Sequence, residues 1–323
     1  MKPKVIACIF LIYTMAGLAQ SHSFVYEFLT LPASSLAAGL GGNQIANPEQ
    51  DPVLSLHNPA LLSEESHNNL VLNYMNYVSD IHFGSAFYSR KINNRSSWMT
   101  AIRYLDYGQI SATDEYGNAL GSLPARDMTL TGGYAFLMAE GLRGGINANI
   151  ISSVLDEYTS LGLGIDLGLY YFNEDKLFYA GMALKNLGRQ FIAYDEQFES
   201  LPWDMQIGIC KKLEHAPFRF SLCAERLWEW DIPDAKWHEN LLRHFIVGVE
   251  FLPSDAFHIN FGYNIRRRVD LSIEQRNLLS GMSAGCSFIW KQLRFGAAYA
   301  KYHLNGNSLS FSISTQLGKT SLL

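Results

Sequence analysis

The sequence has few charged residues and, beyond its N-terminal segment, no long hydrophobic run. Charged residues make up 17% of the 323 residues, against a usual fraction of about a quarter. The formal net charge is −5, a sign that weighs against a protein built to cover nucleic acid. Each membrane-spanning helix needs about 20 consecutive apolar residues, and no such run follows the N-terminal segment. A mature helical membrane protein is therefore excluded.

The N-terminal segment, residues 1–19, has the order of a secretory signal peptide. Lys2 and Lys4 precede an apolar run, and small residues end at Ala19. This basic–apolar–small order predicts export with cleavage after Ala19. A buried N-terminal helix is the alternative.

From residue 68 onward, large apolar residues alternate with small polar ones. Residues 257–265 read FHINFGYNI and residues 161–171 read LGLGIDLGLYY. A period of two predicts β-strands, and a small, uncharged face is typical of a barrel interior. Aromatic residues reach 13%, as expected for a surface that faces lipid. We predict an all-β fold, a transmembrane antiparallel up-and-down β-barrel; a large soluble all-β protein is the competitor.

About fourteen strands can be placed, an even number as bacterial barrels require. The predicted spans are 69–78, 81–90, 96–106, 127–138, 142–154, 159–172, 176–186, 203–213, 217–226, 242–252, 255–266, 279–290, 292–302 and 308–318. The barrel thus occupies residues 68–323.

The connections fall into two length classes that alternate along the chain. The long ones are 107–126, 187–202, 227–241 and 267–278. The tight ones lie near 91–95, 139–141, 173–175, 214–216, 253–254 and 291. We expect every long loop at the extracellular end and every tight turn at the periplasmic end, with both termini of the mature chain periplasmic.

Residues 20–67, between the predicted signal peptide and the first strand, have a different composition. They contain Pro32, Pro48, Pro52 and Pro59 among Gly and Ala, without sustained alternation. We predict a plug or periplasmic hatch against the lumen; a disordered leader is the alternative.

Several sequence blocks carry a resemblance to a known family. They are LAAGLGGNQIANPEQDPVLSLHNPALL (36–62), IRYLDYGQI (102–110), DEYGNALG (114–121), LGLGIDLGLYY (161–171) and AGMALKNLG (180–188). In this order they resemble the barrels related to the fatty-acid transporter FadL, in particular the PorV/PorQ branch. The signature residues are Gly41, Gly42, Asp51, Pro52, Asn58 and Pro59.

The resemblance implies a non-enzymatic outer-membrane component of the type IX secretion system, without a cofactor. Such a barrel would anchor a PorZ-like surface protein in the attachment complex with the sortase PorU and PorV, which joins cargo to anionic lipopolysaccharide. A transporter of hydrophobic molecules, as in FadL itself, is the second hypothesis. The small polar interior predicted from the alternation makes the transporter the weaker interpretation. A general porin is weaker again, since the predicted plug would block its lumen.

Aromatic residues in two long loops are the candidate partner-binding residues. Exposed tryptophan is rare without a partner and is a frequent hot-spot residue. The alternative is the aromatic girdle at the lipid interface. The candidates are Trp228, Trp230 and Trp237 in loop 227–241, and Phe191, Tyr194 and Phe198 in loop 187–202.

Asp166 is the acidic residue among the lumen-facing glycines of residues 161–171. A buried carboxylate needs partners, and Lys185 or Arg103 is the expected one. An interior salt-bridge network is the preferred interpretation, with a gating or selectivity role as the alternative.

The hairpin containing Cys210 and Cys223 makes a sharp test of the strand register. With a turn near His215, the two cysteines are predicted to lie almost opposite each other on the lumen face. The sequence leaves open a strained disulfide or two free thiols. Cys286 is expected apart from them, on the lipid face.

Three short motifs resemble catalytic signatures without their structural context. Residues 281–285 match GxSxG, but Ser283 falls inside an alternating strand rather than on a nucleophile elbow. His238-Glu239 is not followed by the second histidine of HExxH, since Leu242 stands there. Residues 39–42 lack the Lys-Ser/Thr of a phosphate loop. The sequence predicts no enzyme and no metal site.

Overall fold

The protein is described from a computed structural model over residues 24–48, 51–113, 116, 119–195, 197–230, 237–270, 280–302 and 306–318. The predicted signal peptide lies outside these residues. The strands are β1 Asn69–Val78, β2 Ile81–Asn93, β3 Ser96–Asp106, β4 Ile110–Thr113, β5 Ala119–Leu123, β6 Ala125–Ala139, β7 Leu142–Leu155, β8 Tyr158–Asn173, β9 Phe178–Ile192, β10 Asp204–Lys212, β11 Phe218–Ala224, β12 Phe245–Ser254, β13 Phe257–Asn264, β14 Met282–Trp290, β15 Leu293–Ala300 and β16 Ser308–Gln316.

Fourteen of these strands form one closed antiparallel barrel. Each pairs with its neighbours in sequence, β3 pairs with β6, and β1 pairs with β16 from Asn69↔Gln316 to Asn76↔Leu309. β4 and β5 form a separate hairpin within the connection 107–124. The predicted fold, a transmembrane barrel of fourteen strands, is confirmed. The largest difference in a strand boundary is at the end of β9, predicted at residue 186 and found at Ile192.

The alternation of the sequence sorts side chains between the lumen and the outer surface. In β8 the even residues from Ser160 to Tyr170 are buried while Leu163, Ile165 and Leu167 are exposed outward. In β13 His258 and Asn260 face inward. A belt of exposed large apolar residues around a closed barrel suits the hydrocarbon of a bilayer. Among the described residues no helix is long and apolar enough to cross a membrane.

The two ends of the barrel differ in the length of their connections. One end, called the long-loop end, carries 107–124, 193–203, 225–244, 265–281 and 301–307; the other, the tight-turn end, carries only short connections. The expectation that every tight turn lies opposite the long loops is wrong at two places. The hairpins closed by Val78↔Ile81 and Leu155↔Tyr158 turn tightly at the long-loop end.

The lumen contains the N-terminal segment, which we call the plug (residues 24–66). It holds 3-10 turns at Glu27–Thr30, Pro52–Leu56, Pro59–Leu61 and Glu64–Ser66, and one short helix, α1, Ser35–Gly39. Two further short helices lie in the long loops: α2, Trp237–Arg243, and α3, Ile265–Asp270. Apolar plug residues such as Phe28 and Leu29 pack with Phe83 and Leu105 of the wall, so the hydrophobic core lies inside the barrel.

The plug runs from the long-loop end to the tight-turn end. Tyr26 Oη lies 2.5 Å from Ser160 Oγ, near the start of β8 at the long-loop end. Ser66 O accepts a hydrogen bond from Ser89 Oγ at 2.6 Å, near the tight-turn end of β2. The predicted N-terminus of the mature chain lies outside the described residues; Phe24, the first of them, lies at the long-loop end beside Ser200.

Candidate functional site

Asn58 organises the centre of the plug. Its Oδ1 accepts a hydrogen bond from Ala60 N at 3.0 Å and so caps the turn that begins at Pro59. Its Nδ2 donates to Ile45 O at 2.8 Å and to Leu169 O of β8 at 3.0 Å. The residue before a proline is held in an extended conformation, which directs this amide across the plug. Asn58 is fully buried and joins two parts of the plug to the wall.

The other signature residues have local structural roles. Asp51 Oδ1 accepts from Val53 N at 3.2 Å, and Pro52 occupies the first position of that turn, where proline is favoured. Gly41 and Gly42 have φ of 94° and 137°, a region that favours glycine. Gly41 O accepts hydrogen bonds from Asn264 and Arg267 at the long-loop end.

Glycines on the lumen face of the wall make room for the plug. A Cβ at Gly168 would overlap Asn58 Oδ1 and lie 2.9 Å from Pro59 Cδ. Gly145, Gly181 and Gly262 contact plug backbone in the same way. The small residues that predicted a barrel interior thus mark the path of the plug.

An ion pair that the sequence did not reveal lies on the lumen wall. Arg219 of β11 faces Glu250 of β12, and its Nε and Nη2 donate to the two carboxylate oxygens at 2.7 and 2.6 Å. Asn47 of the plug donates to the same carboxylate at 2.7 Å. The alternation places both charges inward, but the long connection between β11 and β12 leaves their register undetermined from sequence.

Asp166 does not form the predicted salt bridge. Its oxygens accept hydrogen bonds from Asn149 Nδ2 at 3.0 Å and from Asn186 N at 2.7 Å. Lys185 Nζ instead donates to Leu56 O, and Arg103 Nη1 to Leu29 O at 3.4 Å. No ion pair within 4.0 Å joins Asp166 to either cation in the described part of the chain. Lys185 and Arg103 instead bind backbone carbonyls of the plug, which lie closer to them than Asp166 does.

A β-bulge in β9 explains how Asp166 is satisfied. Ile165 pairs with Leu187 while Leu167 pairs with Leu184, so β9 has one extra residue here. Asn186 takes a φ of 54° and turns its backbone N–H inward to Asp166. A bulge re-aims side chains and bends its strand, and a single sequence does not reveal its position.

His57 is a buried, neutral histidine of the plug. Its Nδ1 accepts a hydrogen bond from Gln44 N at 3.1 Å. Burial lowers the pKa of His57 well below its ordinary value, and the positive charges of Lys185 and Arg103 lower it further. His57 therefore serves as an acceptor within the plug.

A cavity of about 450 Å³, called the outer cavity, opens at the long-loop end above the plug. Trp228 is its aromatic wall: the indole stacks on Trp203 with ring centroids 5.4 Å apart and meets the edge of Phe24 at 5.5 Å. Both acidic and basic groups line the remainder. They are Glu27, Lys185, Asp204, Glu225, Arg226, Arg266, Arg267 and Asp270.

A second cavity, of about 640 Å³, lies at the tight-turn end. Glu64, Glu65, Arg95 and Arg143 contribute charges to it, with Tyr170 as an aromatic wall. No residue lines both cavities. Within the described residues the plug separates them.

The six candidate partner-binding residues divide into two groups. Trp237, Phe198, Phe191 and Trp230 are exposed, by 77, 66, 55 and 49%. Trp228 lines the outer cavity, and Tyr194 donates from its hydroxyl to Ser153 Oγ at 2.5 Å. Burial raises the pKa of Tyr194 to about 12. Only the first group is presented outward, and within it Phe191 lies in β9 rather than in the predicted loop 187–202.

Cys210 and Cys223 share the lumen face but are not opposite each other. Cys210 pairs with Ser221, and Gly208 pairs with Cys223. The turn is centred as expected at residues 215–216, and that centre places the cysteines on a diagonal two residues apart. Both are buried and neither is in a disulfide, and the predicted near-opposition is wrong. Cys286 is exposed on the outer face, as predicted.

The residues of the catalytic look-alike motifs have structural surroundings. Ser283 is buried in β14 and donates to Gly39 O of α1 at 2.9 Å. His238 lies in the short helix α2 with its ring against Trp237. The described residues contain no group of three or more His, Cys, Asp or Glu side chains that could hold a metal ion.

Comparison with known proteins gives structural matches alone. No protein-family model and no curated protein sequence matches the chain. The toluene transporter TbuX of Ralstonia pickettii matches with a TM-score of 0.56 and 11% identity, over 90% of this chain and 99% of that one. The Pseudomonas putida toluene transporter TodX matches at 0.55 and 10%, over 88% and 96%. A FadL homologue of Pseudomonas aeruginosa matches at 0.54 and 12%, over 92% and 100%. The chain adopts the plugged-barrel fold of FadL-type outer-membrane proteins.

Proposed function

We propose that the protein is an outer-membrane anchor that holds a surface protein at the long-loop end, in the manner of PorQ in the type IX secretion system. The partner would be PorZ-like and would belong to the attachment complex with PorU and PorV. The long-loop end is then extracellular, and the signal peptide directs export to this membrane. The sequence blocks described above motivate this identity.

The observation that carries the proposal is the dense hydrogen bonding between plug and wall. Asn47, Asn58, Lys185 and Arg103 join plug to barrel, and Ser283 adds a fifth side chain. The plug is held by charged and amide groups and lies between two cavities that share no lining residue among the described ones. Such a plug suits a rigid anchor better than a conduit. The fixed barrel would present the long loops in one arrangement.

The exposed aromatic residues of the long loops are the proposed contact. Trp237 at the start of α2 and Phe198 in the 193–203 connection are the most exposed of the candidates. Large exposed aromatic side chains commonly become the anchors of an interface. Both lie at the long-loop end of the barrel.

Purification from the native membrane after photo-cross-linking tests the proposal. A cross-linking amino acid replaces Trp237 or Phe198, and the matched control replaces His215, whose side chain is exposed at the tight-turn end. We expect one surface protein to be captured from the first two positions and not from the third. Capture of that protein from none of the positions, in a barrel that still reaches the membrane, would contradict the anchor.

A second candidate function, transport of hydrophobic molecules, is favoured by one specific feature of the wall. β9 continues to Ile192, but its ladder with β10 ends at Lys185↔Asp204. Beyond this point Arg189 has a single bridge to Ser200. We call this interval the β9–β10 seam; Pro202 and Trp203 beside it also line the outer cavity.

The seam would allow an apolar molecule to pass between the outer cavity and the membrane. TbuX and TodX are toluene transporters, and this function would carry the same class of cargo. The same native purification decides between the two: a bound acyl chain or aromatic hydrocarbon detected by mass spectrometry, with no surface protein, supports transport.

A further inference from the structure

The outer cavity has an acidic wall built from the ends of β10 and β11. Ile207 pairs with Ala224, so continuation of this register sets Gln206 opposite Glu225, with Asp204 on the diagonal. Residues opposite each other on one face have Cβ atoms about 4.5–5.5 Å apart. Asp204, Gln206 and Glu225 all line the cavity.

Oxygen atoms in this wall lack partners. Gln206 is 2% exposed, and its Oε1 accepts no hydrogen bond, while its Nε2 donates to Asp204 Oδ2 at 2.7 Å. Glu225 Oε2 accepts from Asn43 Nδ2 of the plug at 2.7 Å. Glu225 Oε1 accepts none from the residues that the structure describes. A buried amide oxygen without a donor costs free energy, so this oxygen is suited to a ligand.

The charged ends of Lys185 and Arg226 each have a closer partner than the carboxylates of the acidic wall. Lys185, opposite Asp204 in the ladder, donates from Nζ to Leu56 O of the plug. Arg226 donates its backbone N–H to Asp204 Oδ1 at 2.6 Å, but its guanidinium lies 3.7 Å from Glu229. No ion pair within 4.0 Å reaches Asp204 or Glu225 within the described residues.

We infer that Asp204, Glu225 and Gln206 bind a divalent cation of the calcium type in the outer cavity. Calcium takes six to eight oxygen ligands from carboxylates, amide carbonyls and water. Two carboxylates and the orphan amide oxygen supply the protein ligands, and the open cavity admits the water molecules. Only two of the three ligand residues are acidic, and calcium accepts amide oxygen and water as its other ligands.

The position of the site gives the cation a structural consequence. Glu225 is hydrogen-bonded to Asn43 of the plug, and Asp204 is the residue of β10 at which the β9–β10 seam begins. A bound cation would connect β10, β11 and the upper part of the plug. This inference does not depend on which partner or cargo the barrel has.

Terbium luminescence tests the site, because Tb³⁺ replaces Ca²⁺ and is excited by a nearby tryptophan. Trp203 adjoins Asp204 and stacks on Trp228, so both indoles are in place as sensitisers. With the full barrel in detergent, we expect a saturable Tb³⁺ signal that excess Ca²⁺ removes. Asp204→Asn and Glu225→Gln should each weaken binding at least tenfold.

Matched controls separate the site from general attraction to acidic groups. Glu27→Gln and Asp270→Asn remove other carboxylates of the same cavity and should leave the affinity within twofold. Gln206→Glu adds a charge and should tighten binding even if the two loss variants fold poorly. Absence of a sensitised signal in the unmodified protein, or equal affinities in all five variants, would overturn the inference.

Discussion

At the scale of single residues, the lumen charges illustrate how a polar interior is stabilised. Arg103 and Lys185 donate to carbonyl groups of the plug, and Arg219 pairs with Glu250. A buried charge is tolerated when it is hydrogen-bonded, and removal of one partner leaves the other uncompensated. The lumen therefore depends on matched groups rather than on individual side chains.

The Arg219–Glu250 pair gives a quantitative prediction. Arg219→Met or Glu250→Gln alone should lower the free energy of unfolding by about 3–5 kcal/mol, because each leaves a buried charge or an unmatched partner. The double variant Arg219→Met/Glu250→Leu should recover most of this loss. Urea unfolding in detergent micelles, followed by tryptophan fluorescence, measures all three. Equal losses in the single and double variants would contradict the pairing argument.

At the scale of elements, the plug and the wall are complementary in shape. The wall has glycine where the plug backbone approaches, as at Gly168 beside Asn58. Gly132, on the outward side of β6, has open space around it. These two glycines allow the same substitution to be compared with and without the plug.

Gly168→Ala should loosen the plug, and Gly132→Ala should not. The added methyl group would overlap Asn58 Oδ1 and displace the amide that joins the plug to β8. We expect higher single-channel conductance in planar bilayers for Gly168→Ala, and conductance equal to the unmodified protein for the control. An unchanged conductance in both variants would show that the plug tolerates this overlap.

The elements also show which features a sequence can predict. The fourteen strands follow from alternation, since lipid and lumen impose different side chains on each face. Two other features do not follow, because they depend on the register between strands: the bulge at Lys185 and Asn186 and the pairing of Arg219 with Glu250. The path of the plug was missed for a similar reason: Pro-rich segments have no period that reveals their contacts.

At the scale of the whole molecule, the direction of the barrel can be measured with single cysteines. Cys286 is first replaced by Ser, since it is exposed on the outer face. Cysteines at Tyr116 and Trp237 in the long loops should react with an impermeant reagent on whole cells; both residues are largely exposed. A cysteine at His215 should react only after the cells are opened. The reverse labelling pattern would show that the barrel has the opposite orientation in the membrane.

The same reagent tests the direction of the plug, which runs from the long-loop end to the tight-turn end. Glu27 and Glu64 are exposed residues at the two ends of this one segment, the first in the outer cavity and the second in the cavity at the tight-turn end. A small reagent can reach Glu27→Cys from the cell exterior through the open mouth. It should reach Glu64→Cys only from the periplasm, because the plug lies between the two positions. Labelling of both from outside would mean that the lumen conducts small molecules and would favour the transporter over the anchor.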